Sequence, residues 1–253
     1  MSCIRCGNPK TIKAHLIPQV FCKEVIVGKA LATSVTQNGS FFPSQSGTFD
    51  KNILCAKCDG DLGVNEKYAA ITLRLIRQKS IGIYNGPTYL EELGKEKIIR
   101  FAAGILWKYS ITQGDYGKIN LYDFQEKVRQ MAYGEIKIPV WFDVMMLRLK
   151  THPLDTGISA YRAPFPDKIN RVRIYRFMVG GVLFFCEGSQ KKMRNDPTHQ
   201  FWLSQKNELQ YVIAPANIFE EYTLSKNIAF DSTRLSSFLD KQDMVAKNKR
   251  HSS

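Results

Sequence analysis

The chain has 253 residues, of which 44% are apolar and 23% are charged, so it can bury a substantial core and hold one or two domains. The longest strongly apolar run, Phe177 to Cys186, is too short to cross a bilayer, so no membrane segment is expected. Lys and Arg number 36 against 23 Asp and Glu, and the formal net charge of +13 favours a polyanionic partner, above all nucleic acid.

Two C-x-x-C pairs, Cys3 with Cys6 and Cys55 with Cys58, predict a structural zinc site. A two-residue spacer lets a tight turn direct both sulfurs at one ion, and two such turns complete its four-ligand shell. Four unrelated buried thiols or a redox pair are the alternatives. The chain starts with no charged leader or apolar targeting segment, so we expect a cytoplasmic protein with reduced thiols.

The first 64 residues contain many glycines and prolines and are predicted to form this metal module, with residues 33–49 as a loop or an irregular hairpin. A helix is expected to follow, with Glu66 in its first turn and apolar residues at helical spacing up to Arg77. Two more helices are predicted, one from Lys95 to Ile111 and one from Leu121 to Tyr133, the second stopped by Gly134.

After Gly134 the pattern changes to strands followed by helices. The expected elements are strands at Ile136–Leu149, Arg171–Tyr175 and Val182–Cys186, a strand or hairpin at Phe201–Ile213, and helices at Pro215–Tyr222 and Thr233–Ala246. Pro139 argues for an edge strand or a bulge, and Gly180-Gly181 for a tight turn or a close-packing site. We therefore predict an α+β fold with a mixed antiparallel sheet, divided into residues 1–80 and 81–253, although a boundary near residue 134 is equally defensible.

A basic stretch in this half is the predicted nucleic-acid contact. Its candidate residues are Arg171, Arg173, Arg176, Lys191 and Lys192. Because strand residues alternate between faces, Arg171 and Arg173 share a face with Tyr175, which could hold a phosphate backbone while stacking a base. A solvated, exposed sheet face is the alternative interpretation.

Several polar residues lie close to the cysteine pairs in the sequence. His15 follows in Ala14-His15-Leu16-Ile17-Pro18, Asn52 precedes the second pair, Asp59 follows it directly, and Glu66 ends Leu62-Gly63-Val64-Asn65-Glu66. This order resembles the zinc-stabilised branch of the His-Asn-His (HNH) nucleases, and most closely uncharacterised bacterial proteins that pair S-H-I-I-P with L-C-x-x-C-E. Ile105-Leu106-Trp107-Lys108 matches the I-L-W-R-like helix core of the same group.

The resemblance implies a treble-clef ββα module and a divalent-metal-dependent hydrolase of nucleic-acid phosphodiesters, with DNA as the expected partner. In that family the histidine is the general base, so His15 takes this role. Asn52 matches the residue that orients the base, and Asp59 matches a ligand of a second ion, Mg²⁺ or Mn²⁺. The other ligand position is Ala14, which cannot bind a metal.

Purely structural interpretations of these residues remain open beside the catalytic roles. His15 can simply brace the cysteine turn, Asp59 can cap the following helix, and Glu66 can be a first-turn acid. The alternative function is accordingly a non-catalytic zinc module that binds nucleic acid or a protein partner, including a second copy of the chain. A role in bacterial anti-phage defence follows from family analogy alone.

Overall fold

The computed structural model describes residues 1–33, 35, 39–91, 93–155, 157, 160–169, 171–188, 197–205 and 207–251. Its α-helices are α1 (Gln19–Glu24), α2 (Ala56–Lys79), α3 (Lys95–Ile111), α4 (Gln125–Ala132), α5 (Glu220–Asp231) and α6 (Thr233–His251). Its strands are β1 (Ala14–His15), β2 (Leu31–Thr33), β3 (Phe42–Ser44), β4 (Phe49–Asp50), β5 (Gly86–Leu90), β6 (Phe142–Lys150), β7 (Arg162–Ile169), β8 (Val172–Val179), β9 (Val182–Gly188) and β10 (Leu209–Pro215). The predicted mixture of helices and sheet is confirmed.

Six strands form the large sheet of the C-terminal half, in the order β5-β10-β6-β9-β8-β7. Strand β10 runs parallel to β6, and the other pairings in this sheet are antiparallel, so the sheet is mixed as predicted. The turn between β8 and β9 consists of Gly180 and Gly181, with φ angles of 58° and 72°. Two successive positive φ angles are typical of a type I′ hairpin, which glycine adopts without strain.

Helix α3 forms the centre of the molecule, and its predicted bounds are confirmed. Every residue from Phe101 to Ile111 is buried, which explains why its apolar pattern extends around the helix. The Phe101 ring contacts Phe21 on α1, with centroids 5.7 Å apart, and Phe184 on the sheet at 5.8 Å. One apolar cluster therefore connects the cysteine-bearing segment, α3 and one sheet face.

The opposite face of the sheet carries a second, smaller cluster. Met145, Ile174, Phe185 and Trp202 are buried there, with Tyr222 of α5 packed against them. Glu221 of α5 is fully buried and forms an ion pair with Arg176 of β8. Arg176 thus joins α5 to the sheet.

Two polar contacts tie the C-terminal half of the chain to the segments around α2 and the β2–β3 hairpin. The buried Lys150 ammonium of β6 donates to the carbonyls of Ser80, at 2.5 Å, and Ile83, at 2.9 Å, just after α2 ends. Gln242 of α6 accepts a hydrogen bond from the N–H of Lys29, at 2.8 Å, at the base of the β2–β3 hairpin. The C-terminal helix is thereby docked on the N-terminal third of the chain.

Some predicted boundaries were wrong. Helix α2 begins at Ala56, ten residues before Glu66, so Glu66 does not lie in its first turn. The strand predicted from Ile136 begins at Phe142, after Pro139, and it is an interior strand of the sheet. Strands β5 and β7 were not predicted. Both lie at sheet edges and contain proline, which an edge strand tolerates.

Within the described residues, no helix combines the length and the apolar character that crossing a membrane requires.

Candidate metal centre and the polar cluster beside it

The two cysteine pairs come from different local structures that the backbone holds together. Cys3 and Cys6 flank a turn near the N-terminus, whereas Cys55 is the N-cap residue of α2 and Cys58 lies in its first turn. The N–H of Ile4 donates to the Ile53 carbonyl at 2.9 Å, and a second bond of 2.9 Å links Ile12 to Leu54. These bonds bring two segments about fifty positions apart into register.

The four cysteine sulfurs lie within 4.8 Å of one another, and the Cys6 and Cys55 sulfurs are 3.7 Å apart. Zinc–thiolate bonds of ~2.3 Å in a tetrahedron place neighbouring sulfurs about 3.8 Å apart. The cluster therefore fits one tetrahedral metal ion, as the sequence predicts. A site with four cysteine ligands is closed, so its metal would be structural.

The environment of the sulfurs shifts the pKa values of two of the thiols in opposite directions. Burial raises the pKa of the Cys3 thiol, but hydrogen bonds from the backbone N–H groups of Cys55, Cys6 and Arg5 outweigh it and bring the pKa to about 7. Cys58 is shifted the other way, because burial and the neighbouring sulfurs raise its pKa. All four can be thiolates together once a cation neutralises them, and a coordinating thiol loses its proton outright.

A second layer of side chains supports the cysteine turns. The Arg5 guanidinium lies 3.6 Å from the centre of the Tyr133 ring and forms ion pairs with Asp61 and Glu135. The Tyr133 hydroxyl donates to the Cys58 carbonyl at 3.0 Å. Sequence reasoning missed this layer, because Tyr133 and Glu135 are far from the cysteines along the chain.

His15 lies on β1, which pairs with β4 so that His15 is opposite Phe49. Its half-buried imidazole meets the Phe49 ring edge-on, with centroids 5.9 Å apart. Its Nε2 atom is buried and has no hydrogen-bond partner among the described residues. Burial lowers the pKa of His15, and the nearby Lys108 lowers it further, so the ring is neutral at pH 7. Ala14 is fully buried beside it.

A buried ion pair lies next to His15. The Lys108 side chain on α3 is 1% exposed, and its Nζ donates to the His15 carbonyl at 2.6 Å and to Glu66 Oε1 at 2.7 Å. Glu66 therefore binds Lys108 instead of acting as a first-turn acid of α2. The available sequence clue for Lys108 is its position between the apolar residues Trp107 and Tyr109 in a strongly apolar helix.

The other residues predicted for the catalytic site differ in placement. Asp59 lies in the first turn of α2 and is not its N-cap residue, because Cys55 holds that position. Burial raises the pKa of Asp59, the Lys108 charge opposes this shift, and Glu66 adds to it. Asn52 is exposed, and within the described part of the chain its side chain forms no hydrogen bond with His15. His15 and Asp59 both lie near enough to the Lys108–Glu66 pair for its charges to shift their pKa values.

Two further acids of the module, Asp50 and Asp61, are engaged in other interactions and do not take the place of Ala14 as metal ligands. Asp50 is buried and accepts hydrogen bonds from the Thr112 hydroxyl at 2.8 Å and the Gln113 N–H at 2.7 Å. Burial would raise the pKa of Asp50, but these bonds and one from the Asn52 N–H lower it overall. Asp61 forms the ion pair with Arg5.

The basic stretch of the C-terminal half is less available than predicted. Arg176 forms ion pairs with Asp167 and Glu221, and the Tyr175 ring is 3% exposed, so it cannot stack on a base. The Arg173 guanidinium lies 4.2 Å from the centre of the Tyr122 ring. Arg171 is exposed in the turn before β8. Lys191 and Lys192 lie outside the described residues.

Comparison with protein-family models, with curated proteins and with solved structures finds no match to this chain.

Proposed function

We propose that this chain binds nucleic acid through the lysine-rich surface of a zinc-stabilised N-terminal module. The observation that carries the proposal is the distribution of ion pairs in residues 1–80. This segment has eleven Lys and Arg against five Asp and Glu. Its acids are used internally: Glu24 pairs with Arg77, Asp61 with Arg5, and Glu66 with Lys108.

Eight exposed lysines are left, and among the described residues none of them forms an ion pair. They are Lys10, Lys13, Lys23, Lys29, Lys51, Lys57, Lys67 and Lys79. We call these eight the module lysines. Unpaired ammonium groups bind phosphates with release of condensed counterions, so binding should weaken steeply with salt. Lys13 and Lys23 both lie close enough to His15 to lower its pKa, so two of the module lysines are near the His15 side chain.

Reversing the charge of two module lysines should weaken DNA binding strongly. We expect Lys13→Glu/Lys23→Glu to lower affinity at least tenfold and to reduce the slope of log K against log salt by about two, since each phosphate contact contributes about 0.9. Fluorescence anisotropy with labelled duplex and single-stranded DNA, measured from low to moderate salt, gives both quantities.

Arg171→Glu/Arg173→Glu is the matched control, because it makes the same change in net charge on the sheet. Its effect should be several-fold smaller than that of the lysine pair. Equal losses would indicate a general charge effect, and a larger loss in the arginine variant would move the interface to the sheet. Absence of salt-dependent binding by the unchanged protein would reject the proposal.

Hydrolysis of the bound phosphodiester is a second candidate function. The neutral His15 imidazole, with its unpartnered Nε2 atom, is suited to take a proton from an attacking water. If the chain is a nuclease, incubation with plasmid or phage DNA, with and without Mg²⁺ or Mn²⁺, should give cleavage that falls at least 100-fold in His15→Ala. The same background with both proteins would exclude His15 as a base. A defence role rests on the resemblance alone.

A further inference from the structure

We propose that the ammonium group of Lys108 takes the place of a divalent cation in the polar cluster beside the cysteine centre. This proposal rests on the proposed function, because it takes the polar cluster of His15, Asp59, Glu66 and Lys108 as the part of the module that faces nucleic acid. It predicts that the cluster functions without a second metal.

The position of Lys108 is the first argument. Its side chain is almost completely buried, and Nζ is bound both to a carboxylate oxygen of Glu66 and to the carbonyl oxygen of His15. Carboxylate and carbonyl oxygens are the ligands that Mg²⁺ and Mn²⁺ prefer. Lys108 thus occupies the oxygen set that a hard cation would need, and its own charge repels such an ion.

The remaining acids of the module supply no substitute set of ligands. Asp50 is hydrogen-bonded to Thr112 and Gln113, while Asp61 and Glu24 are paired with arginines. Asp59 is the remaining acid, and its half-buried carboxylate already interacts with the Lys108 charge. One carboxylate beside a buried ammonium group is a poor site for a divalent ion.

Titration of Mn²⁺ into the zinc-loaded full chain tests the proposal, with free Mn²⁺ followed by electron paramagnetic resonance. We expect no saturable binding by the unchanged protein up to about 1 mM, the weak end of protein sites for hard cations. Lys108→Met keeps most of the length of the side chain but removes its charge. It should gain at least tenfold in Mn²⁺ affinity, and Lys108→Met/Glu66→Gln should lose that gain.

Saturable Mn²⁺ binding by the unchanged protein that disappears in Glu66→Gln or Asp59→Asn would overturn the proposal. It would also fail if Lys108→Met retained its zinc and its circular dichroism spectrum but gained no Mn²⁺ affinity. Should Lys108→Met not fold, the titrations of the unchanged protein, Glu66→Gln and Asp59→Asn decide the matter. The Mn²⁺ titration contains no nucleic acid. A result that overturns the Lys108 proposal therefore leaves the DNA-binding proposal intact, and failure of the DNA-binding proposal leaves the Mn²⁺ result unchanged.

Discussion

Replacing Cys58 with serine is expected to release the metal and to unfold the N-terminal module. The sulfurs of all four cysteines lie within 4.8 Å, and structural zinc contributes on the order of 10 kcal/mol to the folding of small modules. The strands of this region are two or three residues long, so they provide little stability of their own. We expect zinc content to fall well below one per chain and the melting temperature to fall by about 10 °C or more.

Cys22→Ala is the matched control for this variant, because Cys22 is a buried cysteine outside the cluster. It should lose some packing energy and keep its zinc. Metal analysis and thermal unfolding of the two variants side by side provide the comparison. A Cys58→Ser protein with one bound zinc and an unchanged melting temperature would contradict the four-sulfur site.

Truncating Phe101 to alanine is expected to be the most destabilising change in the apolar core. Its buried ring contacts Phe21, Phe177 and Phe184, so its removal leaves a cavity between α3, α1 and the sheet. Losses of this kind cost about 3–5 kcal/mol, which corresponds to roughly 10 °C in the melting temperature of a chain of this size. Denaturant unfolding followed by circular dichroism measures the cost directly.

Phe230→Ala is the control, because Phe230 on α5 is 75% exposed. Its truncation should change the free energy of unfolding by about 0.5 kcal/mol or less. Similar small losses of unfolding free energy in both variants would show that the Phe101 ring does not hold α1, α3 and the sheet together. A single cooperative transition in Phe101→Ala would also bear on the predicted division at residue 80, since Phe21 and Phe184 fall on opposite sides of it.

The sequence predicted the features that depend on local chemistry. The cysteine spacing was sufficient to predict the four-sulfur cluster, because a C-x-x-C turn by itself directs both of its sulfurs at one point. The bounds of α3 and the Gly180-Gly181 hairpin were equally local, since they rest on apolar periodicity and on positive φ angles. In each case neighbouring residues carry the whole signal.

The early start of α2 could not be predicted in this way. Gly60 and Gly63 are weak helix formers, and they suggested a loop up to residue 64. In the structure, both lie within α2, where the cysteine cluster fixes the first turn and burial of Leu62 stabilises the next. Tertiary packing of the first turns of α2 outweighs the helix propensity of two glycines.

The pairing of Lys108 with Glu66 depends on how α2 packs against α3, which the sequence does not encode locally. The two residues are 42 positions apart, and Glu66 was interpreted locally as a first-turn acid of α2. The loss of Arg176 and Tyr175 from the predicted interface has the same origin. Their partners Glu221 and Asn120 come from distant segments that meet them only in the folded chain.

The most direct test of the account is the metal environment in the purified full chain. Metal analysis combined with X-ray absorption at the zinc edge should find one zinc per chain with four sulfur neighbours at about 2.3 Å. Absence of zinc, or a shell in which nitrogen or oxygen replaces any of the four sulfurs, would contradict it.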